Sequence, residues 1–70
     1  MHSEIALNGQ EPLLLRVEEA ARLLNIGRTR TYDLVRTGQL QSVKIFGARR
    51  IPLTSLASYV EALLQESEAA

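Results

Sequence analysis

The 70-residue chain has no cysteine and no tryptophan, and its one histidine is His2. Without cysteine it can form no disulfide, and a zinc site or a Cys- or His-based nucleophile lacks the residues it needs. No apolar run approaches the roughly 20 residues that a transmembrane helix requires. Since no phosphate-binding loop or nucleophile-and-base set is visible either, we expect no enzymatic activity, no metal, no cofactor and no membrane contact.

A chain of this length buries only about 60% of its unfolded surface and cannot divide its core, which predicts one small domain. We expect residues 1–12 to be a flexible leader, residues 13–65 to be the domain, and residues 66–70 to fray. The leader lacks the long apolar run of a secretory signal, which favours a cytoplasmic setting.

The chain is formally neutral, but its charges are segregated. Seven basic residues lie between positions 22 and 50 against one acid, Asp33, so this segment carries a formal charge of +6. The basic residues are Arg22, Arg28, Arg30, Arg36, Lys44, Arg49 and Arg50. A basic centre between acidic ends indicates a protein that presents one face to a polyanion.

Two short helices are predicted in the first half of the chain. The apolar residues of the first helix recur at the spacing of one helical face: Val17, Ala20, Ala21 and Leu24. After an interruption at residues 25–27, the second helix runs from about Arg28 to Thr37 and ends at Gly38, which favours the left-handed cap position. Leu40 then returns to the core. Two helices joined by a turn of about three residues predict a helix-turn-helix, with a plain helical hairpin as the alternative.

The second helix has one apolar and one polar side. We expect Thr31, Leu34 and Val35 to face the core. The opposite side holds groups that can hydrogen-bond to base edges or phosphates: Arg28, Thr29, Arg30, Tyr32, Asp33 and Arg36. Because the second helix of a helix-turn-helix enters the major groove with its N-terminal residues at the bases, this pattern predicts binding to double-stranded DNA.

Two residues on the polar side have alternative interpretations. Asp33 either accepts a hydrogen bond from cytosine N4 or pairs with Arg30 or Arg36 on its own helix. The ring of Tyr32 either packs half-buried against the following hairpin or places its hydroxyl on a phosphate.

After the second helix the pattern changes to period two, which predicts a β-hairpin. We expect Val43, Ile45 and Ile51 to share its buried face. That register pairs Ile45 with Ile51 and leaves residues 47–49 as a three-residue loop. A two-residue loop would instead place Arg50 on the apolar face.

The predicted hairpin is basic. Its register turns Lys44, Phe46 and Arg50 outward, and Lys44, Arg49 and Arg50 converge at one end. Such a wing lies along the DNA backbone or enters the minor groove, whereas the alternative is that the charges protect an exposed strand edge. Helix and wing together would touch about 3–5 phosphates, which predicts a log-log salt slope of about −3 to −4.5.

Apolar segments flank the central region. The residues after Pro12 form either a brief strand or an extended lead-in. A final amphipathic helix follows Pro52 and is expected to cover the core with Leu53, Leu56, Ala57, Val60, Leu63 and Leu64.

From Leu14 to Leu64 the chain resembles the excisionases, or recombination directionality factors, which have a small MerR-like winged helix-turn-helix domain. The resemblance rests on VEEAARLL, GRTRTY, TGQL and ARRIP, which occur in the family's order and spacing before an apolar helix. It implies a mainly α fold with a short strand, two helix-turn-helix helices, a two-stranded wing and a C-terminal helix.

The resemblance also implies a function. Excisionases bind repeated sites near an attachment sequence, bend the DNA, associate cooperatively on it and help an integrase to excise. DNA contacts are implied for Arg28, Thr29, Arg30 and Tyr32 on the helix and for Lys44, Arg49 and Arg50 on the wing.

The chain departs from the family pattern at two positions. Phe46 and Gly47 stand where a glycine and then a basic residue are common, so Phe46 becomes an apolar contact to DNA or to a neighbouring protein. Asp33 stands where relatives have a neutral or basic residue. Two alternatives to an excisionase are a ligand-independent transcriptional regulator of the same fold and a protein-interaction adaptor without DNA binding.

Overall fold

Six elements follow one another along residues 12–69, the part of the chain that the computed structural model describes. They are β1 (Leu14–Leu15), α1 (Val17–Leu24), α2 (Arg28–Arg36), β2 (Val43–Ile45), β3 (Ala48–Pro52) and α3 (Leu53–Ala69). This order confirms the predicted fold class, mainly α with a small β-hairpin in a winged helix-turn-helix. The predicted leader lies outside the described residues apart from Pro12.

Helix α1 buries the predicted stripe, with Val17, Ala20 and Ala21 inside the molecule. Just before it, the backbone N–H of Arg16 donates to the Glu19 carboxylate at 2.9 Å, the return hydrogen bond of a capping box. The helix ends at Asn25, which adopts the left-handed conformation with φ 60°. Asparagine tolerates this conformation better than most residues, so the interruption falls where it was predicted.

Helix α2 packs against α1 through the side that the sequence predicts. Thr31 is fully buried, and its hydroxyl donates to the Gly27 carbonyl at 2.8 Å, so its polar atom is satisfied inside the core. Beyond the helix, Gly38 has φ 84°. The chain then reverses, and the N–H of buried Leu40 bonds to the Leu34 carbonyl at 3.0 Å, which confirms Leu40 as an apolar anchor.

The three strands form one antiparallel sheet in the order β1-β3-β2. Strand β1 pairs with β3, with Leu15 opposite Ile51, and both side chains are buried. The residues after Pro12 are therefore a strand, and this strand holds the base of the wing against the core.

The predicted hairpin register is wrong. Val43 pairs with Arg50, Lys44 with Arg49, and Ile45 with Ala48, which leaves a two-residue loop at 46–47. Phe46 and Gly47 have φ values of 52° and 81°, and positive φ at both central positions is the type I′ pattern that suits the twist of a hairpin.

The error came from the assumption that the apolar residues of β2 must be buried. Val43 and Ile45 are each 42% exposed, whereas Ile51 is completely buried. Cross-strand partners point to the same face, so Arg50 lies on the face of Val43 and not beside Lys44. Strand β2 is at the edge of the sheet, and β1 supplies the apolar cover that Ile51 needs.

The hydrophobic core lies between α1, α2, the sheet and the start of α3. Its buried members are Leu15, Val17, Ala20, Leu34, Leu40, Ile51 and Leu56. Only the first turns of α3 contribute: Leu56 is buried, and Leu53 and Tyr59 pack against the core.

The expectation that all apolar residues of the last helix cover the core is wrong. Ala57, Val60, Leu63 and Leu64 are exposed. The reason is length: 17 residues of helix extend about 25 Å, further than the small core beneath them. The helix also continues through Ala69, where we expected a frayed tail from residue 66.

Candidate nucleic-acid interface

The polar side of α2 is exposed to solvent. Its six predicted residues are all exposed, while Thr31 and Leu34 between them are buried: Arg28, Thr29, Arg30, Tyr32, Asp33 and Arg36. The helix therefore presents arginine, hydroxyl and carboxylate groups on one surface. The arrangement follows from the helical repeat, which separates the core-facing residues from these polar ones.

Glu18, in the first turn of α1, joins the two helices at this surface. Its Oε2 atom lies 3.4 Å from Arg28 Nε and accepts a hydrogen bond from the Tyr32 hydroxyl at 3.3 Å. The Arg28 guanidinium also lies over the Tyr32 ring, 5.8 Å from its centroid. Three exposed side chains are thus held together, and Glu18 sets the orientation of two predicted DNA contacts.

The pKa of Glu18 lies below its ordinary value. The largest cause is a hydrogen bond from its own backbone amide at the start of α1, and Tyr32, Arg28 and Arg16 lower it further against partial desolvation. The hydrogen bonds and the two arginines favour the charged carboxylate and outweigh the desolvation, which opposes it. Glu18 is therefore an anion at neutral pH and pairs with the Arg28 guanidinium.

Glu18 is a member of the candidate interface that the sequence did not reveal. Its helical pattern marked it only as part of a solvated, acidic first turn. Its role depends on the crossing of α1 and α2, which brings residues 14 positions apart into contact. No local spacing signals such a contact.

Asp33 pairs with Arg36. The Arg36 Nη2 atom lies 2.8 Å from Asp33 Oδ1, in the i, i+3 geometry that one of the two interpretations required. Both side chains are more than half exposed. Arg30, in contrast, makes no ion pair within residues 12–69, so it is the arginine of α2 with the greatest freedom to meet a ligand.

The wing contributes Lys44 and Arg49, which are direct cross-strand neighbours. Arg49 Nη1 donates to the Ser42 hydroxyl at 2.9 Å. Arg49 also lines an open cleft together with Tyr32, Val35 and Arg36. The cleft runs between α2 and β3, so the wing's arginine and the polar side of α2 border the same space.

The cleft also bears on the two interpretations of Tyr32. The ring is 43% exposed and lines the cleft beside the hairpin, while its hydroxyl is already bonded to Glu18. This placement favours the interpretation in which the ring lies against the hairpin.

Arg50 and Phe46 lie apart from this cleft. Arg50 is half-buried on the opposite face of the hairpin, and its Nη1 donates to the Arg49 carbonyl at 2.9 Å. Phe46 occupies the tip of the wing with its side chain entirely in solvent. The structure therefore brings Arg49 to the cleft beside α2, with Lys44 as its neighbour on the same face of the hairpin, but does not bring Arg50 to that face.

Two other kinds of site are not seen in the described part of the chain. No helix within residues 12–69 has the length and apolar character to cross a membrane. No group of three or more His, Cys, Asp or Glu side chains that could hold a metal occurs among those residues.

Comparisons with known proteins point to one family. A family model described as a helix-turn-helix domain matches residues 14–63. A protein of Saccharopolyspora erythraea named probable excisionase is 48% identical over 58 residues, which cover 83% of this chain and 59% of that protein. An excisionase of Streptomyces ambofaciens is 43% identical over 56 residues, which cover 80% of this chain and 90% of that protein. No solved structure matches the chain significantly.

Proposed function

Since the chain belongs to the helix-turn-helix domain family and to the excisionases within it, we propose that it binds attachment-site DNA and directs an integrase towards excision. The observation that carries this proposal is the shared cleft: the exposed side of α2 and Arg49 of the wing border one open space. A groove-reading helix beside a basic wing is suited to grip a duplex at two adjacent grooves.

Base reading is assigned to the start of α2. Arg30 and Thr29 are exposed in its first turn, and arginine can bond to O6 and N7 of guanine with two parallel hydrogen bonds. Arg28 follows as a contact oriented by Glu18, and the Tyr32 ring supports its guanidinium from beneath. Sequence discrimination is therefore expected to depend most on Arg30.

Phosphate binding is assigned to the remaining cations. Arg36 borders the cleft although it shares its charge with Asp33, and Lys44 and Arg49 extend the positive surface along the hairpin. Arg50 has a supporting role, because its guanidinium is turned to the other face and bonded to the backbone of Arg49. These contacts fix the position of the protein on DNA without reading its sequence.

The proposed function includes bending of the DNA and assembly of several copies on it. Bending a short site costs on the order of 1–6 kcal/mol, which is large for the contacts of one small domain. We propose that several copies bind side by side and that an integrase shares the cost. The protein itself acts by binding, without a catalytic step, in the cytoplasm where its DNA is found.

The test is to mix the purified protein with sheared DNA from its source, recover the bound fragments and sequence them. Direct repeats beside an attachment site or an integrase gene are the expected result. Enrichment at promoters away from any attachment site would identify a transcriptional regulator instead. Recovery of no specific fragment at low salt would leave the adaptor function and contradict DNA binding.

A matched pair of variants ties this result to the proposed surface. Arg30→Ala should lose the enrichment by about 5- to 150-fold, the range of one bidentate base contact. Arg22→Ala removes an equally charged, exposed arginine of α1 that the surface does not include, and it should retain the enrichment. Both variants must show the circular dichroism spectrum of the wild type.

A further inference from the structure

The tip of the wing combines two unfavourable features in one residue. The side chain of Phe46 is 102% exposed, so a large aromatic ring stands wholly in water. Its backbone has φ 52°, a conformation that bulky residues seldom adopt. The first central position of such a two-residue turn ordinarily holds asparagine, aspartate or glycine. Neither the fold nor the turn requires a phenylalanine here, so we expect the ring to serve in a contact with a binding partner.

The surroundings of Phe46 indicate the chemistry of that contact. Lys44 and Arg49 form the second cross-strand pair behind the tip, after Ile45 and Ala48, and residues 42–52 contain no acid. An apolar tip beside a cationic face fits a partner that is negative at its rim and apolar inside. A DNA minor groove has this arrangement, with phosphates along its edges and stacked bases at its floor.

The position of the tip favours DNA over a protein partner. Arg49 borders the same cleft as Tyr32 and Arg36 of α2. The wing and the helix are therefore placed to contact the same ligand. A second protein surface with suitable chemistry does exist on the chain, because α3 exposes Val60, Leu63 and Leu64 beside acidic residues. That surface lies on a different element and does not account for the basic side of the wing facing α2.

We propose that Phe46 is a wedge that enters the minor groove, separates two adjacent base pairs and kinks the duplex. The proposal deepens the DNA-binding function and rests on it. Helix α2 holds the register in the major groove, Lys44 and Arg49 hold phosphates on the side of the wing that faces α2, and the ring fills the space between the unstacked pairs. Flexible pyrimidine–purine steps are the expected sites of insertion, because they unstack most easily.

The experiment uses duplexes that contain the footprint from the recovered fragments. One set carries a dye at each end, so that energy transfer reports the bend. A second set carries 2-aminopurine at successive steps under the wing, because its fluorescence rises where stacking is lost. The wild type should bend the duplex and raise the fluorescence at one step several-fold.

Two substitutions distinguish the effect of the aromatic ring from that of the turn conformation. Phe46→Asn removes the ring and suits the positive φ, so this variant should be at least as resistant to urea as the wild type. It should lose most of the bend and the 2-aminopurine signal, while its affinity falls less than about tenfold because the cations remain. Phe46→Leu keeps an apolar wedge and should retain much of both signals.

Each outcome decides between the possibilities. An unchanged bend and fluorescence with Phe46→Asn would overturn the wedge and leave DNA binding intact. Loss of cooperativity between adjacent sites with a normal bend at a single site would assign Phe46 to a neighbouring protein and overturn the proposal. A wild-type protein that binds no duplex would refute the proposed function and the wedge together.

Discussion

Glu18 of α1 is a carboxylate that lies beside the basic surface of α2 and contacts two of its side chains. It lies where phosphate is expected, yet it holds Arg28 by an ion pair and Tyr32 by a hydrogen bond. An exposed pair of this kind contributes little to stability, because water and salt screen the two charges. Under the proposed function we expect its effect to be on the ligand, since the Glu18 charge opposes phosphate and its ion pair restricts Arg28.

We predict that Glu18→Gln binds unrelated DNA about two- to fivefold more tightly, because the substitution removes a repulsive charge and frees Arg28. Discrimination between the specific site and unrelated DNA should fall, since Arg28 then reaches many phosphates. Competition binding with both duplexes measures the ratio. Glu61→Gln makes the same charge change on α3, away from the surface, and should leave the ratio unaltered; equal effects of the two substitutions would mean that only net charge matters.

At the scale of elements, the ends of α2 determine how the polar side is presented. Gly27 precedes the helix with φ −70°, and Gly38 follows it with φ 84°. A Cβ atom at either position meets no other atom within 4 Å. The two glycines therefore differ in backbone conformation and not in available space.

We predict that Gly38→Ala destabilises the domain by about 1 kcal/mol, because only glycine adopts its φ without strain. Gly27→Ala should change the free energy of unfolding by less than about 0.5 kcal/mol, since its backbone suits any residue and the lower entropy of the unfolded chain offsets a poorer cap. Urea unfolding of the two variants gives the comparison. A loss at Gly27 as large as that at Gly38 would refute this explanation of the turn.

Sequence periodicity predicted the buried faces of α1 and α2 well and the hairpin poorly, for a physical reason. A helix face repeats over several turns, so Val17, Ala20 and Thr31 were placed correctly from spacing. A three-residue strand offers no such repetition, and the register of β2 then depended on the assumption that Val43 must be buried. The contact of Glu18 with α2 was beyond prediction, because it depends on how two helices cross.

At the scale of the whole molecule, the neutral chain divides into a basic centre and acidic ends. The fold places Arg49 beside α2, while α3 carries Glu61, Glu66 and Glu68 and no cation. Such a division directs a polyanion to one side of the molecule and limits attraction elsewhere.

We predict a slope of log K against log salt concentration of about −3 to −4.5 for the wild type. Lys44→Ala and Arg49→Ala should each make the slope shallower by about 0.9, the contribution of one phosphate contact. Arg50→Ala is the matched control, because it removes the same charge from the opposite face of the hairpin, and its effect should be less than half as large. Equal changes from Arg49→Ala and Arg50→Ala would place both residues on DNA.

Strand β3 also has a mechanical consequence. It runs without interruption from Ala48, next to the tip, to Ile51 in the centre of the core, about 10 Å away. Strand β1 clamps that inner end. Because β3 is continuous and its inner end is held in the core, a force applied at the tip is transmitted along the strand to the packing around Ile51. The stability of that packing therefore limits the force that the wing can withstand before the core around Ile51 is disturbed.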